Sequence, residues 1–122
     1  MTVPPPHRGA TFAIEVAPFG RFTFRRRQIR DQIRIEADAE RLLGGPVEDI
    51  GLSNAAFALA TLQVLTVAAP PGWDLGAVDP LDRAALEDVY RVFGRLRAQE
   101  DSFCDGVAAA RAGLGTGSGG QL

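Results

Sequence analysis

The chain has 122 residues and a mass of 13.0 kDa, enough for one domain with one core. Hydrophobic residues make up 46% and charged residues 23%, which is ordinary for a globular protein. Net charge is −2 but unevenly placed, +5 over residues 1–34 and −7 over residues 35–122: too acidic overall for nucleic acid to be the main partner, and suited to pairing internally or head-to-tail in a homo-oligomer.

All 13 basic residues are arginine, which codon usage in a GC-rich genome explains more simply than a need for guanidinium chemistry. The lone cysteine, Cys104, excludes an intramolecular disulfide and a cysteine-cluster metal site. Met1 to Gly9 is proline-rich without an apolar core, so it does not read as a secretory signal. The longest apolar run, Ala55 to Ala69, falls short of the ~20 residues of a membrane span and is broken by Thr61, Gln63 and Thr66. These features predict a soluble cytoplasmic protein with no membrane contact.

Residues 1–10, with Pro4-Pro5-Pro6, read as a flexible arm ahead of a single domain over residues 11–110. Phe12, Ile14 and Val16 alternate, as do Phe22 and Phe24, and Ala17-Pro18-Phe19-Gly20 separates them as a turn. A β-hairpin over 11–25 is predicted, and its aromatic face must pack on helices or on another chain. The hydrophobic period then switches from two to about four across Arg25-Arg26-Arg27.

A first helix is predicted over about 27–43, with Ile29, Ile33, Ala37 and Glu40 on one stripe and Arg27–Asp31 and Arg34–Asp38 as i,i+4 pairs. Gly44-Gly45-Pro46 ends it. Ser53 is the expected N-cap of a second helix over about 54–68, apolar on nearly every face and stopped by Pro70-Pro71-Gly72. Trp73 is expected to anchor the turn by packing on the corner between the second and third helices, in preference to standing exposed as an interface aromatic. Asp79-Pro80 with Asp82 reads as the start of a third helix, about 80–110. Its apolar seam, Leu86, Val89, Phe93, Leu96, Phe103 and Val107, has coiled-coil-like spacing, and Gly106 is a possible stop. A glycine-rich flexible tail, 111–122, closes the chain. The fold class is α+β, mostly helical.

The residues offer no catalytic set. His7, the only histidine, lies in the proline arm, so no Ser/His/Asp or Cys/His arrangement can be built. Cys104 beside Phe103 reads as a buried apolar residue. Asp74, Asp79 and Asp82 lack calcium-loop spacing, and helix capping accounts for two of them. The glycines from Gly113 onward have neither the preceding strand nor the lysine of a phosphate loop. No enzyme activity, cofactor or metal is expected. Arg25-Arg26-Arg27, Arg30 and Arg34 form a basic stripe; a solvated face partly neutralised by acids of the later helices is preferred over an acidic protein partner, and both over phosphate contacts.

Gly20-Arg21-Phe22-Thr23-Phe24-Arg25-Arg26, Ile29-Arg30-Asp31, Ala60-Thr61-Leu62-x-Val64-Leu65 and Ala69-Pro70-Pro71-Gly72-Trp73-Asp74-Leu75 resemble segments of small tail assembly chaperones of long-tailed bacteriophages and prophages. The resemblance covers roughly Phe12 to Phe103 and rests on residue types, with no catalytic signature. It departs from the family pattern at Arg26-Arg27-Gln28, where a proline or threonine is expected before the helix. The resemblance implies a mostly helical protein with a small β element that coats the tape measure protein, keeps it soluble and helps recruit tail tube subunits. It also implies action in the cytoplasm of the bacterial host and absence from the finished particle. Some members occur as a longer frameshifted product, for which the glycine-rich end would be a suitable junction. The rival reading is a permanent structural subunit of a tail or head–tail connector. The expected partner contacts are Phe12, Ile14, Phe22 and Phe24 of the hairpin, Arg26 and Arg30 of the basic stripe, and Phe93 and Phe103 of the last seam.

Overall fold

The computed structural model describes residues 11–45, 48–79 and 82–117, with side chains through Ala112. The proline arm with His7, Pro46, Pro80, and the tail beyond Gly117 lie outside the described residues. The elements run β1 (Thr11–Val16), β2 (Gly20–Arg25), α1 (Ile29–Leu43), α2 (Ile50–Leu65), β3 (Thr66–Ala68), a short 3-10 helix (Leu75–Ala77) and α3 (Arg83–Gly117). The protein is α+β and mostly helical, a hairpin followed by three helices, with one strand that the sequence did not announce.

β1 and β2 pair antiparallel with Phe12 opposite Phe24 and Ile14 opposite Phe22. Alternation therefore puts Ile14, Val16, Phe22 and Phe24 on one face, and all four are buried. The Phe22 and Phe24 rings lie parallel, 5.9 Å apart. Side chains of α2 and α3, among them Ala58, Leu62, Leu65, Val89, Val92 and Leu96, join that face in one core.

The second helix differs from its predicted bounds at both ends. Asp49, not Ser53, is the N-cap: its carboxylate accepts from the Leu52 N–H at 3.1 Å, so Ile50 begins the helix. At the other end the helix stops at Leu65, and Thr66–Ala68 pairs with Thr23 and Phe24 of β2. β-branched Thr66 and Val67 suit a strand, and β2 offers an edge at that point. α2 is buried on several faces, through Ala56, Ala58, Ala60, Thr61, Leu62, Val64 and Leu65, and α1 packs along it. Thr61 is fully buried, and its hydroxyl donates to the Phe57 carbonyl at 2.7 Å.

α1 buries the opposite choice of residues from the predicted stripe. Asp31, Ile35 and Ala39 face inward, while Ile29 (78% exposed) and Ile33 (64%) face out. Gly44, with φ 74°, ends the helix as expected.

α3 starts at Arg83, three residues later than predicted. Asp82 caps it by accepting from the Ala85 N–H at 3.2 Å, so Asp82 and not Asp79 holds the N-cap position. The core seam is Val89, Val92 and Leu96, with Phe93 half-buried; Phe103 is half-buried and Val107 exposed. Neither Gly106 nor the predicted boundary at Ala110 stops the helix, and residues 111–117, assigned above to a flexible tail, continue it.

Candidate functional site

The join between β2 and α1 organises the arginine cluster, and each arginine has a separate task. Arg25, on the last residue of β2, pairs with Asp31, which is only 5% exposed. The Asp31 carboxylate also accepts from the Gln28 N–H at 2.9 Å, so this buried acid ties the strand end to the first turn of the helix. Gln28 is thus the N-cap of α1, with the carboxylate of Asp31 satisfying its N–H. The predicted Arg27–Asp31 pair is not made. Arg27 instead donates through Nε and Nη2 to the two oxygens of Glu100 on α3, at 3.1 and 2.9 Å, and through Nη1 to Gln32. This two-toothed pair is 16% exposed on the Arg27 side and 12% on the Glu100 side. Arg97 reaches the same Glu100 carboxylate at 3.2 Å. An acid of a later helix does neutralise part of the stripe. The Arg34–Asp38 pair forms at 3.7 Å.

Arg26 is exposed, and its guanidinium lies over the Phe103 ring, 4.0 Å from the centroid. Phe103 in turn meets Phe12 edge-on at 5.0 Å, and Phe12 meets Phe24 at 5.9 Å. An aromatic chain therefore leads from the hairpin core to the surface of α3. An open groove of about 550 Å³ begins there, with Phe103, Val107 and Ala108 on its floor and Arg26 and Arg111 on its rim. A second cavity of about 240 Å³ shares Arg26, Phe103 and Cys104 with it and runs on past Arg27, Arg97 and Glu100.

On the far side of the hairpin, Pro70-Pro71-Gly72-Trp73 forms a tight turn closed by the Trp73 N–H donating to the Pro70 carbonyl at 3.2 Å. Pro71 and Gly72, at φ 87°, suit its two central positions. Trp73 packs on Phe19 at 5.3 Å and edge-on against Phe22 at 5.1 Å. It anchors its turn as the sequence suggested, but its ring partners belong to the hairpin, which the sequence did not suggest. Asp74 caps the short 3-10 helix by accepting from the Gly76 N–H at 2.9 Å. Among the described residues no three His, Cys, Asp or Glu side chains gather into a metal-sized site.

The expected partner contacts divide accordingly. Ile14, Phe22 and Phe24 are enclosed in the protein's own core, because α2 and α3 cover the aromatic face that the sequence left open to a second chain. Phe93 is half-buried against Phe57, with ring centroids 6.1 Å apart. Phe12, Phe103 and Arg26 come together beside the groove, and Arg30 is exposed, donating to Gln28 at 3.2 Å. Cys104, expected to be buried, is exposed on the groove wall, because α3 has already passed the edge of the core. Sequence reasoning missed Arg111 and Ala108; four-residue spacing from Phe103 through Val107 to Arg111 was the available signal, but residue 111 was placed in a tail. No protein-family model matches the chain, and no curated protein or solved structure is significantly similar to it.

Proposed function

We propose that the chain is a tail assembly chaperone of a long-tailed phage or prophage, a non-catalytic binding protein without cofactor. Its role is to hold the tape measure protein soluble and help recruit tail tube subunits in the cytoplasm of the bacterial host. The observation that supports this reading is how the four segments of the family resemblance relate to one another. Gly20–Arg26 forms β2 and the join, Ile29–Asp31 starts α1, Ala60–Leu65 is the buried end of α2, and Ala69–Leu75 is the turn whose Trp73 seats on Phe22. They fall into two groups, 20–31 and 60–75, separated by residues 32–59, and the Phe22–Trp73 contact and the pairing of β2 with β3 bring the two groups together. A shared scaffold gives a reason for residue types to recur together that chance similarity lacks.

The exposed apolar side chains support the reading as a binding protein. Ile29, Ile33, Ile50, Leu52 and Val107 are all more than half exposed, which is much apolar side chain for so small a domain. The test is affinity capture of the tagged chain from cells in which the phage is assembling, together with mass spectrometry of purified particles. Recovery of tape measure and tube proteins, with the chain missing from particles, is the expected result. Presence of the chain at stoichiometric levels in finished particles would instead make it a structural subunit of the tail or connector.

A further inference from the structure

We propose that the groove along the outer half of α3 is a docking site for an amphipathic protein helix whose apolar stripe is bordered by carboxylates. The inference rests on the reading of the chain as an assembly factor and supplies the chemistry of its partner. The floor is apolar, formed by Phe103, Val107 and Ala108, and Val107 is 52% exposed among the described residues. The two connected cavities follow α3 from Arg97 to Arg111, about four helical turns or roughly 20 Å, which suits a helix laid in a groove.

Charge selects the occupant. Among the described residues neither Arg26 nor Arg111 makes an ion pair, although both border the groove. Asp101 and Asp105 line neither cavity, and the one acid that does, Glu100, is already held by Arg27 and Arg97. Arg26 is moreover stacked on the Phe103 ring, 4.0 Å from its centroid, which favours one orientation of its plane. An arginine so stacked keeps its N–H edges for a two-toothed carboxylate contact and loses little further freedom in making it.

The probe is a fluorescein-labelled synthetic peptide with a leucine stripe at helical spacing flanked by glutamates, titrated with the full chain and followed by anisotropy. A twin peptide with lysine in place of glutamate is the control. Cys104, the chain's only cysteine, lies in the groove wall and reports occupancy through its rate of alkylation. The expected result is preference for the glutamate peptide by about tenfold or more, weakening with salt, with Cys104 protected at saturation. Arg111→Glu should abolish the preference and Val107→Glu should weaken both peptides, while circular dichroism stays unchanged, since both residues are exposed.

Equal affinity for the two peptides, or unprotected Cys104, overturns the proposal. So does Cys104 protected by self-association without peptide, or a duplex oligonucleotide that outcompetes the glutamate peptide. A chain that binds the glutamate peptide but captures no tape measure protein keeps the groove and loses the chaperone reading. One that captures tape measure protein equally well as Arg111→Glu loses the groove alone.

Discussion

Glu100 accepts from both Arg27 and Arg97, and the first of these lies 73 positions away in the chain. The pair with Arg27 is mostly buried, so removing the acid leaves a guanidinium without a counter-charge in a poorly solvated place. Glu100→Gln should therefore lower unfolding free energy by about 1–3 kcal/mol in urea denaturation. Arg97→Ala, at the half-exposed end of the same network, should cost less than about 1 kcal/mol. Equal losses would mean that burial does not set the worth of these contacts. Gly20 offers a second residue-scale test. Its φ is +126°, and a Cβ there would sit 3.3 Å from Cγ of Pro70, in the turn that carries Trp73. Gly20→Ala should cost about 1–3 kcal/mol, as strain and crowding act together. Sequence reading saw Gly20 as turn punctuation; that its missing side chain admits Pro70 is a tertiary fact that no local pattern carries.

Among the elements, α2 shows how far periodicity reaches. Its apolar residues identify a buried helix, yet an apolar run cannot say where helix gives way to strand, and Thr66–Ala68 is a strand because β2 has an edge to pair. The start was misread because Ser53 is a good capping residue and Gly51 a poor first-turn residue, whereas the cap in use is Asp49. Asp49→Ala should cost about 0.5–2 kcal/mol and Ser53→Ala less than about 0.5 kcal/mol, by thermal or urea unfolding. The reverse order would return the start of α2 to Ser53. In α1 the wheel offers two apolar stripes, one through Ile29 and Ile33 and one through Ile35 and Ala39. The Arg25–Asp31 tie turns the second inward, since Asp31 lies on its side of the helix. The length of α3 was underestimated because an exposed glycine costs a helix only about 1 kcal/mol against alanine, too little to end it. A Cβ on Gly94 would meet nothing within 4 Å, so Gly94→Ala should stabilise the protein by about 0.5–1 kcal/mol. A loss of stability there would show that α3 needs a close neighbour at that point.

For the whole molecule, the uneven charge of the chain finds part of its use inside the fold: the basic join meets the acid of α3 through Arg27 and Glu100. What is left over is local, with Arg26 and Arg111 facing a groove that has no acid free to answer them. The fold class, the hairpin, the aromatic core of Phe22 and Phe24 and the Trp73 anchor were legible from period and punctuation. The partner surface was less so, since the residues that most advertise stickiness in a sequence, the hairpin aromatics, are those that a core most readily takes up. What stays outside is decided by where α3 outruns the core, beyond Leu96, and that depends on packing of the whole chain. In the proposed function this protein keeps a tape measure protein soluble. Co-expression with the tape measure protein of the same phage or prophage, followed by separation of soluble and aggregated fractions, measures it directly. The expected result is a soluble complex of the two, with the tape measure protein aggregated when the chain is left out. A tape measure protein equally soluble, or equally aggregated, with and without the chain would contradict it.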